Sequence, residues 1–245
     1  MRRFLLALAA LAATVSAPLH AREMVTVTVT VEEWVEAGSS RFVAAQGAAE
    51  RQAIASYGPF RVLDGQRAAL VDVTDTASPA HFAAMLRDYP ALATLEMVEC
   101  PGTEDDRANL AVGRMIRAAG VATHVPAGGS VRSGAVELFL AGASRRIDDG
   151  AEFAVHAWID EDGREAGDFA ADAPIHAPYL AYYREMGMDD GAARAFYAMT
   201  NSVRFADAKW LDAGEMRKWV AGEAENVGPR LEPRIAYLDL ARALP

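Results

Sequence analysis

From residue 60 onwards, short apolar runs alternate with longer segments whose apolar residues recur at helical spacing. Short apolar runs bounded by turn residues are typical of buried strands, whereas apolar positions three and four residues apart predict amphipathic helices. The predicted strands are 60–63, 68–73, 92–98, 121–125 and the run that ends at Val155. Strands and helices that alternate in this way predict an α/β fold with a mainly parallel sheet flanked by helices.

Two helices of this series carry recognisable start signals. Ser78 and Pro79 combine a capping side chain with a proline at the first helical position. Asp105 and Asp106 lie in the first turn of the next helix, where acidic side chains interact favourably with the helix dipole, and Gly120 closes that helix.

Loops at the carboxyl ends of parallel strands commonly hold binding sites, so we expect a binding site at the loops that follow the predicted strands.

The rest of the chain predicts smaller elements. A β-branched run with period two predicts a strand at 24–31, and a weakly patterned helix follows at 41–56. After the α/β series come a lid-like acidic loop at 160–172, aromatic-rich helices at 174–186 and 190–199, a turn into a short helix at Trp210-Leu211 and a last helix at 235–243. We divide the chain into a signal peptide, 1–21, a small N-terminal appendage, 22–57, an α/β domain, 58–222, and a C-terminal tail, 223–245.

The first residues predict export. Arg2 and Arg3 precede an uncharged run of mostly Phe, Leu and Ala that is too short to cross a bilayer comfortably, as in a secretory signal peptide. Small residues offer cleavage after Ala17 or Ala21, and we favour Ala21 because Pro18 would follow the first cut. The expected location is periplasmic or secreted, with no membrane attachment after cleavage; an uncleaved N-terminal anchor is the alternative.

Charge and cysteine content narrow the classes of partner. Removal of residues 1–21 takes away two arginines and no acid, so the formal net charge falls from −10 to −12, which argues against nucleic acid as a partner. Cys100 is the only cysteine, which excludes an internal disulfide and a cysteine-based metal site. We expect Cys100 to be buried rather than reactive.

A glycine-rich stretch that begins at Gly128 contains the candidate chemistry. Ser133 precedes a short apolar segment that predicts a buried helix. The free N–H groups at the N-terminus of this helix would point towards Ser133 and could stabilise a negative charge there. His156 ends the next apolar strand and could take the proton that a serine nucleophile must lose. A serine and a histidine at this separation occur in many chains, so a helix-capping Ser133 and a structural His156 remain an alternative.

The order of several short motifs resembles the Clp protease and crotonase-like superfamily, in particular its exported bacterial branch of predicted periplasmic proteins. The motifs span roughly residues 60 to 220, and they are Cys100-Pro101-Gly102-Thr103, Thr123-His124-Val125, Ser133-Gly134-Ala135, Leu140-Ala141-Gly142, Arg146 and Val155-His156. The resemblance implies the Clp protease/crotonase-like fold and assembly into a homo-oligomer, with the aromatic helices after residue 174 as the expected contact.

The resemblance also implies roles for individual residues. It selects Ser133 over Ser130 as the nucleophile, His156 as the base, and the N–H groups of Gly102 and Gly134 as the oxyanion hole. The family's acid falls at Ala208, so Asp207, one residue earlier, is a tentative third member that would orient the histidine, and Asn201 is a more distant alternative. The implied activity is hydrolysis of a peptide or other acyl bond without a metal or other cofactor.

Departures from the family pattern motivate a rival hypothesis. Thr103 replaces a glycine, Glu137 places an acid in a buried helix, and Ala208 lacks a carboxylate. The rival is a catalytically impaired Clp-like protein that acts as a binding or assembly module. His124 and His176 could join His156 as metal ligands, but the chain has no HExxH motif to support a metal.

Overall fold

The computed structural model describes residues 44–220, and within them short strands and helices follow one another closely. In chain order the helices are α1 (Ala44–Gln52), α2 (Ser78–Asp88), α3 (Asp106–Ala118), α4 (Ala135–Leu140), α5 (Ala177–Glu185), α6 (Asp190–Thr200) and α7 (Ala213–Val220). The strands are β1 (Ala55–Tyr57), β2 (Phe60–Val62), β3 (Arg67–Leu70), β4 (Thr94–Met97), β5 (Glu99–Cys100), β6 (Ala122–Val125), β7 (Ser130–Arg132), β8 (Arg145–Ile147), β9 (Glu152–Val155) and β10 (Lys209–Asp212). Two 3₁₀ turns lie at Ala166–Asp168 and Pro174–His176.

The strands form two sheets. The larger sheet has the order β1-β2-β3-β4-β6-β8, in which β3, β4, β6 and β8 are parallel and β1 and β2 are antiparallel additions at one side. The smaller sheet has the order β10-β9-β7-β5, with β5, β7 and β9 parallel and β10 antiparallel. The predicted α/β fold with a mainly parallel sheet flanked by helices is therefore confirmed.

One apolar core joins both sheets to the helices. It contains Phe60, Phe82, Leu95, Phe139 and Phe153 with no exposed surface, and Phe139 meets Phe153 edge to face. Cys100 belongs to the same core, where burial raises the pKa of its thiol well above the ordinary value, as expected for an unreactive cysteine.

Local sequence signals position the helices well. Helix α2 begins at Ser78 with Pro79 in its first turn, but its N-cap residue is Ala77 and no side chain caps this end, so the predicted capping role of Ser78 is wrong. Helix α3 is capped by the Asp105 carboxylate, which accepts a hydrogen bond from the Ala108 N–H at 2.9 Å. A cap of this kind contributes about 1 kcal/mol and fixes the start of α3 beside the turn that follows β5.

The differences from prediction concern short strands. The predicted loop before Ser133 contains β7, and the turn predicted at Trp210-Leu211 lies in β10. The helix predicted up to residue 56 ends at Gln52, because the residues that follow form β1, which pairs with β2. Pairing with a neighbouring strand decides these segments, and each is too short to show a period of its own.

Several predictions lie outside the described residues, namely the signal peptide at 1–21, the strand at 24–31 and the C-terminal tail. Within 44–220, the helices are all too short or too polar to cross a lipid bilayer.

Candidate active site

Three parallel strands bring the predicted site residues to one edge of the smaller sheet. Cys100 pairs with Val131 between β5 and β7, and Arg132 pairs with Ala154 between β7 and β9. The chain beyond β7 stays against β9, since the Ser133 N–H donates to the Ala154 carbonyl at 2.9 Å. The turn after β5, Ser133 after β7 and His156 after β9 therefore emerge side by side, as expected for the carboxyl ends of parallel strands.

Ser133 has an unusual backbone conformation. Its φ of 49° makes it the one residue other than glycine with positive φ among the described residues. A side chain in this region costs about 1 kcal/mol or more, and such strain concentrates at functional sites. The strand-to-helix turn at Ser133 also resembles, in its local form, the strained elbow that exposes a nucleophilic serine.

Ser133 does not act as a helix cap. Gly134 occupies the N-cap position of α4, and this end of the helix has no side-chain capping bond. Within residues 44–220 the Ser133 hydroxyl makes no hydrogen bond, although its backbone carbonyl accepts one from the Val136 N–H. The capping role considered from the sequence is therefore absent, and the hydroxyl has no structural task among the described residues.

Gly102 packs directly against Ser133. Its φ of 134° is a conformation that only glycine adopts readily, and a Cβ there would lie 3.0 Å from Ser133 Cβ. In the part of the chain that the structure describes, neither the Gly102 N–H nor the Gly134 N–H has a hydrogen-bond partner. Two uncommitted N–H donors therefore flank the serine.

Thr103 fills the space beside these donors. Its methyl group would be 2.5 Å from a Cβ at Gly134, so residue 134 must also be glycine unless Thr103 moves. The Thr103 hydroxyl is engaged with backbone: it accepts from the Asp105 N–H and lies 3.2 Å from the Thr74 carbonyl. The threonine that departs from the family pattern thus holds the turn in place.

One ring nitrogen of His156 has a backbone partner. Nδ1 lies 2.9 Å from the Ala157 carbonyl, and the edge of the ring contacts Phe205 with 4.9 Å between centroids. A carbonyl can only accept, so this bond requires a proton on Nδ1 and leaves Nε2 as the basic nitrogen of the neutral ring. The recorded hydrogen-bond partner of Nδ1 is therefore a backbone carbonyl and not a carboxylate.

Ser133 and His156 line the same cleft, whose free volume is about 50 Å³. No hydrogen bond joins the Ser133 hydroxyl to the imidazole in the described part of the chain. Catalytic hydrogen bonds are often long in a protein without substrate and tighten when substrate binds. The two groups share a cleft, and their direct contact remains a prediction.

Asp207 lies on an exposed turn after Phe205. Its backbone N–H donates to the Arg204 carbonyl at 2.9 Å, and its side chain is not among those that line the cleft. Its role as the residue that orients His156 stays a prediction.

Helices α5 and α6 also line the cleft, together with Trp158 and side chains from the starts of α3 and α4. Tyr179 donates to Asp106 Oδ2 at 2.5 Å, and Tyr183 donates to Glu137 Oε1 at 2.7 Å. Asp106 is exposed, whereas Glu137 is only 7% exposed. We call this surface the acidic-aromatic wall; it consists of Asp106, Glu137, Trp158, Tyr179, Tyr183, Tyr197, Thr200 and Asn201.

Burial dominates the ionisation of Glu137. It raises the pKa of this carboxyl to about 7, against the opposing effect of the Tyr183 hydrogen bond, and the nearby Asp106 charge raises the pKa further. Arginine and lysine are absent from the described lining of the cleft. The acid that seemed out of place in the sequence has a tyrosine partner and faces the candidate active site.

A polar network supports the wall from behind. His176 lies 3.0 Å from the Ala170 carbonyl through Nε2 and 2.7 Å from the Tyr197 hydroxyl through Nδ1, and Trp158 Nε1 donates to the same hydroxyl at 2.7 Å. His124 is paired elsewhere, with Asp148 at 2.9 Å. Within residues 44–220, no group of three potential ligands could hold a metal ion, and these histidines are not brought together with His156.

Asn201, the more distant alternative to Asp207 in the sequence, lines the cleft. Its Nδ2 donates to the Tyr197 carbonyl at 2.8 Å and approaches Thr200 Oγ1 at 3.2 Å. Its Oδ1 is buried without a hydrogen-bond partner among the described residues. Asn201 is the C-cap residue of α6, and its place in the cleft could not be predicted because its neighbours there come from distant segments.

Comparison with known proteins gives similar structures but no sequence match. No protein-family model matches the chain, and no curated protein matches it either. A serine-to-alanine variant of the 1510-N membrane-bound stomatin-specific protease is 15% identical, with a TM-score of 0.42 over 61% of this chain and 75% of that one. A lysine-to-alanine variant of the same protease, in complex with a substrate peptide, is 15% identical, with a TM-score of 0.41 over 61% of this chain and 71% of that one.

A third similar structure is an asparagine-to-aspartate variant of ClpP1 from Listeria monocytogenes. It is 14% identical, with a TM-score of 0.45 over 64% of this chain and 88% of that one. At these identities the likeness concerns the course of the chain and not its chemistry.

Proposed function

We propose that the protein is a serine hydrolase that cleaves a peptide or other acyl bond. Ser133 is the nucleophile, His156 the general base, and the N–H groups of Gly102 and Gly134 stabilise the oxyanion. The observation that carries the proposal is the strained backbone of Ser133, whose hydroxyl has no structural bond in residues 44–220 and whose neighbour Gly102 could bear a side chain only with strain.

The chemistry proceeds in two stages. Ser133 Oγ attacks the carbonyl carbon of the substrate while its proton passes to His156 Nε2, and the carbonyl oxygen becomes an oxyanion near the two N–H donors. The bond to the leaving group then breaks, and His156 returns the proton to that group. Water attacks the acyl-serine with His156 again as base, which releases the acid and restores the hydroxyl.

Labelling with a fluorophosphonate tests the proposal, because this probe reacts with activated serines. The wild type should be labelled, the Ser133→Ala variant should not, and a Ser130→Ala variant should label like the wild type. Ser130 is a good control because it is buried and lies three residues away on β7. Absent labelling, or equal labelling of Ser133→Ala, would overturn the proposal.

The rival function is a binding or assembly module without catalysis. It is favoured by one observation, that the Ser133 hydroxyl makes no hydrogen bond to His156 in the described residues. If the rival is correct, the wild type stays unlabelled although it folds normally.

Export and self-assembly belong to the same proposal. Cleavage after Ala21 should give a secreted protein whose intact mass lacks residues 1–21, and a homo-oligomer should elute ahead of a monomer in size-exclusion chromatography. An intact Met1 on the secreted protein or a monomeric elution profile would contradict them.

A further inference from the structure

The hydroxyl groups of the acidic-aromatic wall all donate hydrogen bonds within the protein, so the groups of the wall that could still bind a ligand are hydrogen-bond acceptors. Tyr179 donates to Asp106, Tyr183 donates to Glu137, and Thr200 lies 3.0 Å from the Tyr197 carbonyl. Nε2 of His176 needs a proton to bond the Ala170 carbonyl, so in the neutral ring Nδ1 accepts from the Tyr197 hydroxyl. None of these four hydroxyl protons remains for a ligand.

One acceptor of the wall, Asn201 Oδ1, lacks a donor among the described residues. The Asn201 amide is assigned by its two Nδ2 contacts, which leaves Oδ1 as a buried acceptor without a partner among the described residues. Glu137 is nearly buried in the same cleft, and the neutral Tyr183 hydroxyl is its side-chain partner. A buried acceptor without a donor is costly, so Asn201 Oδ1 indicates a missing donor, and the two nearby carboxylates, Asp106 and Glu137, indicate that this donor is cationic.

The aromatic side chains of the wall suit the same ligand. Trp158 and Tyr179 lie parallel, with an interplanar angle of 4° and 6.3 Å between ring centroids, and Tyr197 lies 5.9 Å from Tyr179. Faces of Trp and Tyr rings attract ammonium and guanidinium groups. An apolar substrate group would find aromatic surface here too, but it would leave Asn201 Oδ1 unsatisfied.

We propose that the acidic-aromatic wall is a specificity pocket for a cationic group, a primary ammonium or a guanidinium, on the substrate that Ser133 attacks. Glu137 and Asn201 Oδ1 contact the cationic head, Asp106 attracts it, and the rings enclose its stem. The inference rests on the proposed function for its place in catalysis, but cation binding itself does not require a working nucleophile.

Binding to the Ser133→Ala variant tests the pocket separately from the chemistry. Isothermal titration would compare the N-acetyl methylamides of lysine and arginine with those of norleucine and citrulline, which are neutral and of similar length. We expect at least one cationic ligand to bind about tenfold or more tightly than its neutral counterpart. Equal binding of charged and neutral ligands, or binding of none, would overturn the inference.

Matched variants locate the cation in the cleft. In the Ser133→Ala background, Glu137→Gln should remove most of the preference for the cation, and Asp106→Asn, at an exposed position that can accept an amide without unfolding, should weaken it severalfold. Glu185→Gln is the control, because it removes the same charge from a residue of α5 that pairs with Arg114 away from the cleft lining. A preference that survives both cleft variants would refute the assigned position.

The two proposals fail in different ways. Cation binding with no fluorophosphonate labelling of the wild type would support the cation pocket and refute the proposed hydrolase activity. Labelling and hydrolysis with no preference for cationic substrates would support the hydrolase activity and refute the cation pocket.

Discussion

The two sides of the cleft present opposite kinds of polar group. The strand ends contribute hydrogen-bond donors, the N–H groups of Gly102 and Gly134, on either side of Ser133. The acidic-aromatic wall contributes acceptors, chiefly Glu137 and Asn201 Oδ1. Donors suit an oxygen that becomes negative during a reaction, and acceptors suit a positive charge that the substrate already has, so the contrast separates chemistry from recognition.

Each side of the cleft also contains one feature that destabilises the fold, and the two features differ in kind. The strand ends store backbone strain at Ser133, whereas the wall stores the cost of a buried carboxylate at Glu137. Unfavourable features that persist in a fold concentrate at functional sites. Variants can therefore test each side by a different measurement.

The largest effect is expected at His156. The His156→Ala variant should lose about 10³-fold in the rate of hydrolysis of an activated ester, because His156 is the base that we propose for the Ser133 proton. His124→Ala is a control, since His124 is paired with Asp148 away from the cleft lining. A His156→Ala rate close to that of the wild type would remove this histidine from the mechanism.

Asp207→Asn sharpens the same test. We expect the rate to stay near that of the wild type, because the Ala157 carbonyl already holds Nδ1 and the Asp207 side chain is exposed. A loss comparable to that of His156→Ala would instead establish Asp207 as the orienting residue.

Gly102→Ala tests the donors at the strand ends. The new Cβ would lie 3.0 Å from Ser133 Cβ, and φ of 134° is strained for alanine, so the turn and its N–H must shift. Loss of one oxyanion donor should lower the hydrolysis rate by about 10²-fold or more. Gly65→Ala is the matched control, because a Cβ there meets nothing within 4 Å, and an equal loss in both variants would contradict the role of Gly102.

Glu137→Gln tests the free-energy cost of burying the ionised Glu137 carboxylate, through the pH dependence of the free energy of unfolding. The folded state raises the pKa of Glu137 from 4.5 to about 7, so its favourable contribution is complete below pH 4.5 and is lost as pH rises to about 7. Relative to the wild type, the glutamine variant should therefore gain about 3 kcal/mol in free energy of unfolding between pH 4 and pH 8.

Urea denaturation at the two pH values measures this gain, with Glu185→Gln as the control for loss of one carboxylate. Parallel pH profiles of the wild type and the Glu137→Gln variant would show that Glu137 titrates normally, contrary to its buried position.

The smallest effect tests the strain at Ser133. Glycine adopts positive φ without cost, so Ser133→Gly should be more stable than Ser133→Ala by about 1 kcal/mol in thermal or urea unfolding. Both variants lack the hydroxyl, so their difference reports the backbone alone. Greater stability of the alanine variant would contradict a strained conformation.

The same division explains how much of the site could be read from the sequence. Ser133 and Gly102 lie where a strand meets a turn or a helix, and such boundaries have local signals in glycine and in apolar runs. The wall depends on contacts between distant segments, such as Tyr183 with Glu137, 46 residues apart, and Tyr179 with Asp106, 73 residues apart. Helical periodicity indicates which face of α5 is buried but not which residues it meets.

Short strands are a second feature of the fold that could not be predicted from the sequence. Strand β7 is only three residues long, and its glycine-rich flank predicts a loop. Its pairing with β5 on one side and β9 on the other determines its conformation, and it also places Ser133 next to Gly102. The element that positions the candidate nucleophile was therefore set by tertiary contacts, although the residue itself could be named from the sequence.

Peptide mass mapping of the fluorophosphonate-treated wild type tests the central claim most directly. Trypsin cuts after Arg132, which separates Ser130 from the peptide that runs from Ser133 to Arg145, and fragment ions within that peptide separate Ser133 from Ser144. We predict a single adduct on Ser133. An adduct on another serine, or a folded protein without any adduct, would contradict Ser133 as the activated nucleophile.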